Sequence, residues 1–155
     1  METKKQVQAN EFEEKIYDYF NDEWNLPLSH FVSKEGQYKR GENRQGFEIK
    51  NDQRYSQTGN LYISTKRVYN VAEYPSGIYR TTKTKQRFYV IGDENKFWVI
   101  ATRHLRQYYE KYTPNLIKGF TYNDGTEYGY LLPVNKADEM ATEIYSKQLT
   151  LVEWI

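Results

Sequence analysis

Hydrophobic and polar positions recur along this chain with two different periods, and each change of period marks a new element. From Asn10 the segment EFEEKIYDYF carries Phe12, Ile16, Tyr19 and Phe20 at i, i+4, i+7 and i+8, the stripe of an amphipathic helix. Asn10 is its expected N-cap, Glu11, Glu13 and Glu14 suit the helix N-terminus, and Pro27 ends it. Between Leu28 and Asn70 the period falls to two. HFVS, GFEIK and GNLYIST, separated by Gly, Asn and Asp, predict a meander of strands. After a turn at Tyr74-Pro75-Ser76-Gly77, RFYVIGDENKFWVIAT reads as a hairpin about Gly92-Asp93-Glu94-Asn95, with its strands in the middle of the sheet. ATRHLRQYYEKY predicts a second helix, with Thr102 as N-cap, Leu105 and Tyr108 or Tyr109 at helical spacing and Pro114 as stop. A strand GYLLPV follows, then a C-terminal helix over NKADEMATEIYSKQ with Ala137, Met140, Ala141 and Ile144 on one face, then the tail LTLVEWI.

Helices and strands therefore mix in one chain of the α/β (α+β) class, and 155 residues suit a single domain over residues 1–155. Charged residues at 28% and hydrophobic ones at 38%, with 16 Tyr and three Trp, describe a folded chain and not a disordered one. No apolar run approaches the roughly 20 residues of a membrane span, and Met1-Glu2-Thr3-Lys4-Lys5 leads into polar sequence, so no membrane partner and a cytoplasmic location are expected. The absence of cysteine excludes disulfides, thiolate metal sites and thiol nucleophiles, and His30 and His104 are too few for an imidazole cage. Any metal must be a hard ion on oxygen ligands. Lys and Arg number 22 against 21 Asp and Glu, a net charge of +1 that decides nothing about nucleic acid.

The candidate chemistry centres on Glu48 and Lys50. On a strand both point to one face, with Phe47 and Ile49 on the other. A carboxylate beside an ammonium suits phosphodiester hydrolysis: the carboxylate holds a divalent ion, the ion polarises the phosphoryl oxygen, and the lysine positions the attacking water. A solvated edge strand gives the same three letters, so the surrounding sequence has to decide.

That context, GFEIKND, TGNLYIS, PSGIYRTTKTKQRFYVIGD, FWVIATRHLRQYYEKY and GYLLPV, spans Glu42 to Val134 and resembles a PD-(D/E)XK nuclease-like family common in phage and bacterial genomes. The resemblance implies a restriction-endonuclease-like core, a central mixed sheet with flanking helices in the order helix, three-stranded meander, helix and strand. It implies a Mg²⁺-dependent (or Mn²⁺-dependent) DNA endonuclease, homing, restriction-like or junction-cutting, from a bacterial cell or phage-infected host. Its implied metal ligands are Glu48 and an upstream acid, at Glu42 or Asn43, with Lys50 as the catalytic lysine. Relatives carry Asp where this chain offers Glu42 or Asn43, and Glu where it has Ser64.

Further candidates are Glu13, a helix-borne acid able to complete such a site or simply to suit the helix dipole, and Asp52, a second strand-face acid or a turn residue. Lys66, Arg67, Arg80, Thr81, Thr82, Lys83 and Lys85 are the expected contacts to the phosphates of double-stranded DNA, with an exposed basic loop as the plain alternative. His104 with Arg103 and Arg106 opens a helix where a phosphate fits or where they are only surface. Gly59-Asn60 is first a turn, and the tyrosines are first packing residues and secondly base-stacking ones. A homodimer or higher homo-oligomer is the expected assembly for an enzyme cutting both strands. The replaced acids motivate the alternative of a non-catalytic DNA-binding or protein-interaction module on the nuclease scaffold. An RNA-acting enzyme is a third reading.

Overall fold

The computed structural model describes residues 3–26, 46–80 and 86–147, and its architecture is mixed α+β. Helix α1 (Lys4–Trp24) is followed by β1 (Phe47–Asn51), the short α2 (Tyr55–Thr58), β2 (Asn60–Tyr69), β3 (Ala72–Pro75) and a 3₁₀ turn (Gly77–Tyr79). Then come β4 (Phe88–Gly92), β5 (Lys96–Ala101), α3 (Thr102–Tyr112), β6 (Ile117–Tyr122), β7 (Gly125–Pro133), α4 (Val134–Met140) and β8 (Glu143–Ser146).

The strands form two sheets, ordered β1-β4-β5-β8 and β3-β2-β7-β6. In the first, β1 runs parallel to β4, whereas β4–β5 and β5–β8 are antiparallel. The expected hairpin around Gly92–Asn95 forms, and its strands are the two inner ones. Their runs FYVIG and FWVIA are apolar almost without interruption because this sheet is covered on both faces. On one face Phe12, Ile16 and Phe20 of α1 pack against Phe47, Ile49, Val90, Phe97 and Val99. On the other, Tyr89, Ile91, Trp98 and Ile100 share a core with Leu61, Ile63, Tyr130 and Leu132 of the second sheet, closed by Ile78, Leu105 and Ala137.

Several expectations are corrected. The helix begins at Lys4 and not after Asn10, because Thr3 and Gln6 form a reciprocal capping box about two turns earlier than the acidic cluster suggests. GFEIK and GNLYIST are strands, but no meander joins them: β1 pairs with β4, and β2 pairs with β3 and β7. The segment HFVS lies outside the described residues. Tyr74 and Pro75 end β3, so the turn comes later, in the 3₁₀ segment. Thr102 does not cap α3; its hydroxyl is turned inward to the side-chain oxygen of Gln86 at 3.1 Å. GYLLPV lies at the end of β7, whose hairpin partner β6 went unread. The C-terminal helix stops at Met140, and Ile144 lies instead on β8 opposite Trp98, where backbone pairing to β5 replaces two further helical turns. The tail LTLVEWI lies outside the described residues. Among the described residues no helix is long and apolar enough to cross a membrane.

Phe20 is fully buried, with its ring 4.8 Å from that of Phe47. Phe20→Ala is expected to lower stability by about 3–5 kcal/mol, through lost burial and the cavity left under β1. Urea unfolding monitored by ellipticity measures it, and a loss under about 1 kcal/mol would mean that α1 does not bear on this sheet.

Candidate functional site

Strand β1 carries the site because its two faces meet different surroundings. Phe47 and Ile49 go to α1, while Glu48 and Lys50 take the face shared with their partners Tyr89 and Ile91 on β4. Glu48 is 2% exposed. A carboxylate so buried requires compensation, and two cations supply it at one oxygen: Lys50 Nζ lies 3.3 Å and Arg80 Nη1 3.2 Å from Glu48 Oε1. Both cations keep contact with solvent, the side chains of Lys50 and Arg80 being 35% and 20% exposed.

Arg80 reaches Glu48 because of Gly77. The glycine sits at φ +53°, and a Cβ there would overlap the backbone carbonyl of Ser64, so the 3₁₀ turn lies directly on β2. The turn is tied further by Ser76 N–H donating to the Thr65 carbonyl at 3.0 Å, by Gln86 Nε2 donating to the Gly77 carbonyl at 3.0 Å, and by Arg106 Nε donating to the Ile78 carbonyl at 2.7 Å.

A second carboxylate enters from β7. Glu127 Oε2 is 3.5 Å from Ser76 Oγ, which is in turn 3.3 Å from Ser64 Oγ. Burial pushes the Lys50 ammonium down, Glu48 and Glu127 push it up, Arg80 opposes them and Tyr122 adds to them. The outcome lies above the ordinary lysine value, so Lys50 is charged at neutral pH. Burial raises the Tyr62 phenol, with Glu127 and Tyr122 acting in the same direction, and Tyr89 is raised by burial and then by Glu48 and Glu127. Lys50 thus lies in the field of Glu48, Glu127 and Arg80, and Tyr62 and Tyr89 both lie in that of Glu127.

The other expected residues divide. Glu13 is buried on α1, and the first sheet stands between that helix and Glu48, so the two acids are not brought together. Asp52 is a turn residue: its carboxylate accepts from the backbone N–H groups of Arg54 at 3.0 Å and Tyr62 at 2.9 Å. Lys66 pairs with Glu73 at 2.8 Å and Arg67 with Asp124, both at the surface. Arg106 is spent on the Ile78 carbonyl, with its guanidinium 5.4 Å from the Tyr79 ring centre. His30, Glu42, Asn43, Thr81, Thr82, Lys83 and Lys85 lie outside the described residues. Sequence reasoning missed Glu127, Tyr62, Tyr89 and Tyr122. The signal available for Glu127 was its place two residues after Gly125 in an alternating strand, which carries no chemistry by itself.

Among the described residues no three carboxylate or imidazole groups converge as they do around a metal ion. Glu48 and Glu127 bring two negative charges, and Lys50 and Arg80 bring two positive ones. A hard divalent ion prefers a surplus of carboxylate oxygen, so this donor set by itself does not fit Mg²⁺ or Mn²⁺. No family model, curated protein or solved structure matches this chain.

Two measurements follow from this geometry. Gly77→Ala is expected to destabilise by at least about 2 kcal/mol, from the left-handed backbone and the overlap with Ser64, and thermal unfolding reads it. A neutral substitution would mean that the 3₁₀ turn is not seated on β2. The second measurement concerns alkaline pH. Burial raises the phenols of Tyr55, Tyr62, Tyr89 and Tyr130, and Tyr79 is pushed up to about 12. Unfolded, these groups lose their protons near pH 10, so above that pH the unfolded chain binds fewer protons than the folded one. Their stabilising contribution is complete below pH 10 and is lost as pH rises through the folded values, and Lys50 acts in the same sense. Tyrosinate absorbance recorded beside ellipticity should show a class of tyrosines ionising only as the fold is lost. Smooth titration of every tyrosine near pH 10 with the fold intact would contradict it.

Proposed function

We propose that this chain binds the phosphate backbone of double-stranded DNA at the Lys50–Arg80 cluster, as a DNA-binding module on a PD-(D/E)XK nuclease-type scaffold. The observation that carries the reading is the pair of partly exposed cations fixed on one buried carboxylate. A phosphate arriving there meets donors whose side chains are already ordered, which spares part of the entropy cost of binding. Lys66 and Arg67 are further candidate phosphate contacts. Their partners Glu73 and Asp124 are 64% and 67% exposed, and surface pairs of this kind are worth about 0–1 kcal/mol, so a phosphate can replace them.

A metal-dependent endonuclease is the second reading. It is favoured by the E-x-K geometry, with ammonium and carboxylate 3.3 Å apart on one strand face, and it requires further acids beyond the charge-balanced pair. The two readings separate in one set of assays on duplex and supercoiled DNA. Under the binding reading, Lys50→Ala and Arg80→Lys each weaken duplex binding, and Lys50→Ala lowers the slope of log affinity against log salt by about 1. DNA then stays intact in Mg²⁺ or Mn²⁺, for an Asn43→Asp variant as well. Nicking by the unaltered chain that vanishes in Lys50→Ala would replace the binding module by the endonuclease. Absence of duplex binding at low salt would remove both.

A further inference from the structure

Arg80 and Gln86 meet at one oxygen. The backbone carbonyl of Gly77 accepts from the Arg80 backbone N–H at 3.2 Å, closing the 3₁₀ turn, and also from Gln86 Nε2 at 3.0 Å. The Gln86 side chain is buried, and its amide is oriented without ambiguity. A carbonyl only accepts, so the amide nitrogen must face Gly77. The amide oxygen then faces the Thr102 hydroxyl, which donates to it at 3.1 Å. Thr102 is buried as well, and its own backbone N–H donates to the Arg87 carbonyl at 2.9 Å. These groups form one directed chain, from Thr102 hydroxyl to Gln86 amide to Gly77 carbonyl, that ends on the acceptor of Arg80's own amide.

The chain also joins the two halves of the ion cluster. Gln86 stands just before β4, and the next two residues, Arg87 and Phe88, donate their backbone N–H groups to the Gly46 carbonyl at 2.8 and 3.1 Å. Gly46 leads directly into β1, the strand that carries Glu48. We infer that Gln86, oriented by Thr102, is the positioning residue of the Lys50–Arg80 cluster and sets the Arg80 guanidinium against Glu48. Ordering a side chain as long as arginine costs rotamer freedom, so a fixed guanidinium needs a fixed backbone beneath it. Glu48 holds the guanidinium end at 3.2 Å, and Gln86 holds the backbone end. Arg106 and Ser76 seat the turn elsewhere, on the carbonyls of Ile78 and Thr65, and do not share the acceptor of Arg80. The effect of Gln86 on affinity rests on the DNA-binding reading above, whereas its effect on the placement of Arg80 does not.

The test is heteronuclear NMR of the free chain, with duplex binding measured beside it. In Gln86→Met, which keeps the volume and loses the donor, the Nε–Hε group of Arg80 should become mobile while that of Arg106, held on Ile78, stays ordered. Thr102→Val should act in the same direction, and Thr102→Ser, which keeps the hydroxyl, should match the unaltered chain. In fluorescence anisotropy with a labelled duplex, Gln86→Met should weaken binding about fivefold, the worth of one net hydrogen bond, and should have no further effect in an Arg80→Lys background. An ordered Arg80 in Gln86→Met overturns the assignment. So does mobility of Arg80 and Arg106 together, which would make Gln86 a support of the whole turn and not of Arg80. If the unaltered chain does not bind the duplex, the DNA-binding reading falls, and the NMR result still decides the role of Gln86.

Discussion

Strand β1 must satisfy two unlike environments at once, and much of the molecule is arranged around that requirement. Its period of two sends Phe47 and Ile49 into the aromatic layer beneath α1 and Glu48 with Lys50 into the opposite face. The apolar face is easily satisfied. On the polar face a carboxylate at 2% exposure is tolerable only if its charge is met, because leaving a buried ion unpaired costs on the order of 3–5 kcal/mol. Lys50 comes with the strand, two residues on. Arg80 has to be delivered from 32 residues away, and β2, β3 and the 3₁₀ turn together form the path that delivers it.

That path explains why no meander forms. If β1 and β2 were paired neighbours, β2 would occupy the edge of β1 that now hydrogen-bonds β4 or lie beyond it, within the first sheet. Instead β2 belongs to the second sheet, where Leu61 and Ile63 face Tyr89 and Ile91 across a shared core. The link between the sheets is partly polar: the Asp52 carboxylate, just after β1, takes the Tyr62 backbone N–H of β2 at 2.9 Å. The bulge between Ser64 and Lys66 then lets both Ser64 and Thr65 be buried in succession. Ser64 can thereby face the 3₁₀ turn while the Thr65 hydroxyl donates to the Tyr128 carbonyl at 3.2 Å.

What was legible in the sequence was whatever depends on local periodicity. The stripe Phe12, Ile16, Phe20, the strand alternation of FEIK and the β4–β5 hairpin follow from spacing alone, and so does the shared face of Glu48 and Lys50. What was illegible depends on partners distant in sequence. Whether β1 pairs with β2 or β4 is not encoded in either strand's own pattern, and MATEIYS reads as helix until the edge of β5 is there to receive Ile144. The same limit governs the site. Arg80 was expected among outward-facing DNA contacts because it stands in a basic, threonine-rich run, yet its guanidinium is turned toward a buried acid 32 positions earlier. Glu127 sits in an unremarkable strand and acquires meaning only through Lys50, Ser76 and the tyrosines around it.

The balance of charge in the cluster also bears on what it is able to recognise. Two carboxylates and two cations cancel, so attraction at long range is weak and the site does not gather anions as a basic groove does. Under the DNA-binding proposal, recognition then has to come at short range, from donors held in position. The tyrosines fit that regime, since a phenol ring supplies contact area with few torsions to order. The same reasoning assigns Glu48 a role apart from any bond it makes to a ligand: it fixes where Lys50 and Arg80 point, and both keep a side open to solvent. A neutral residue at that position would let the two like charges repel each other and would remove the anchor from both.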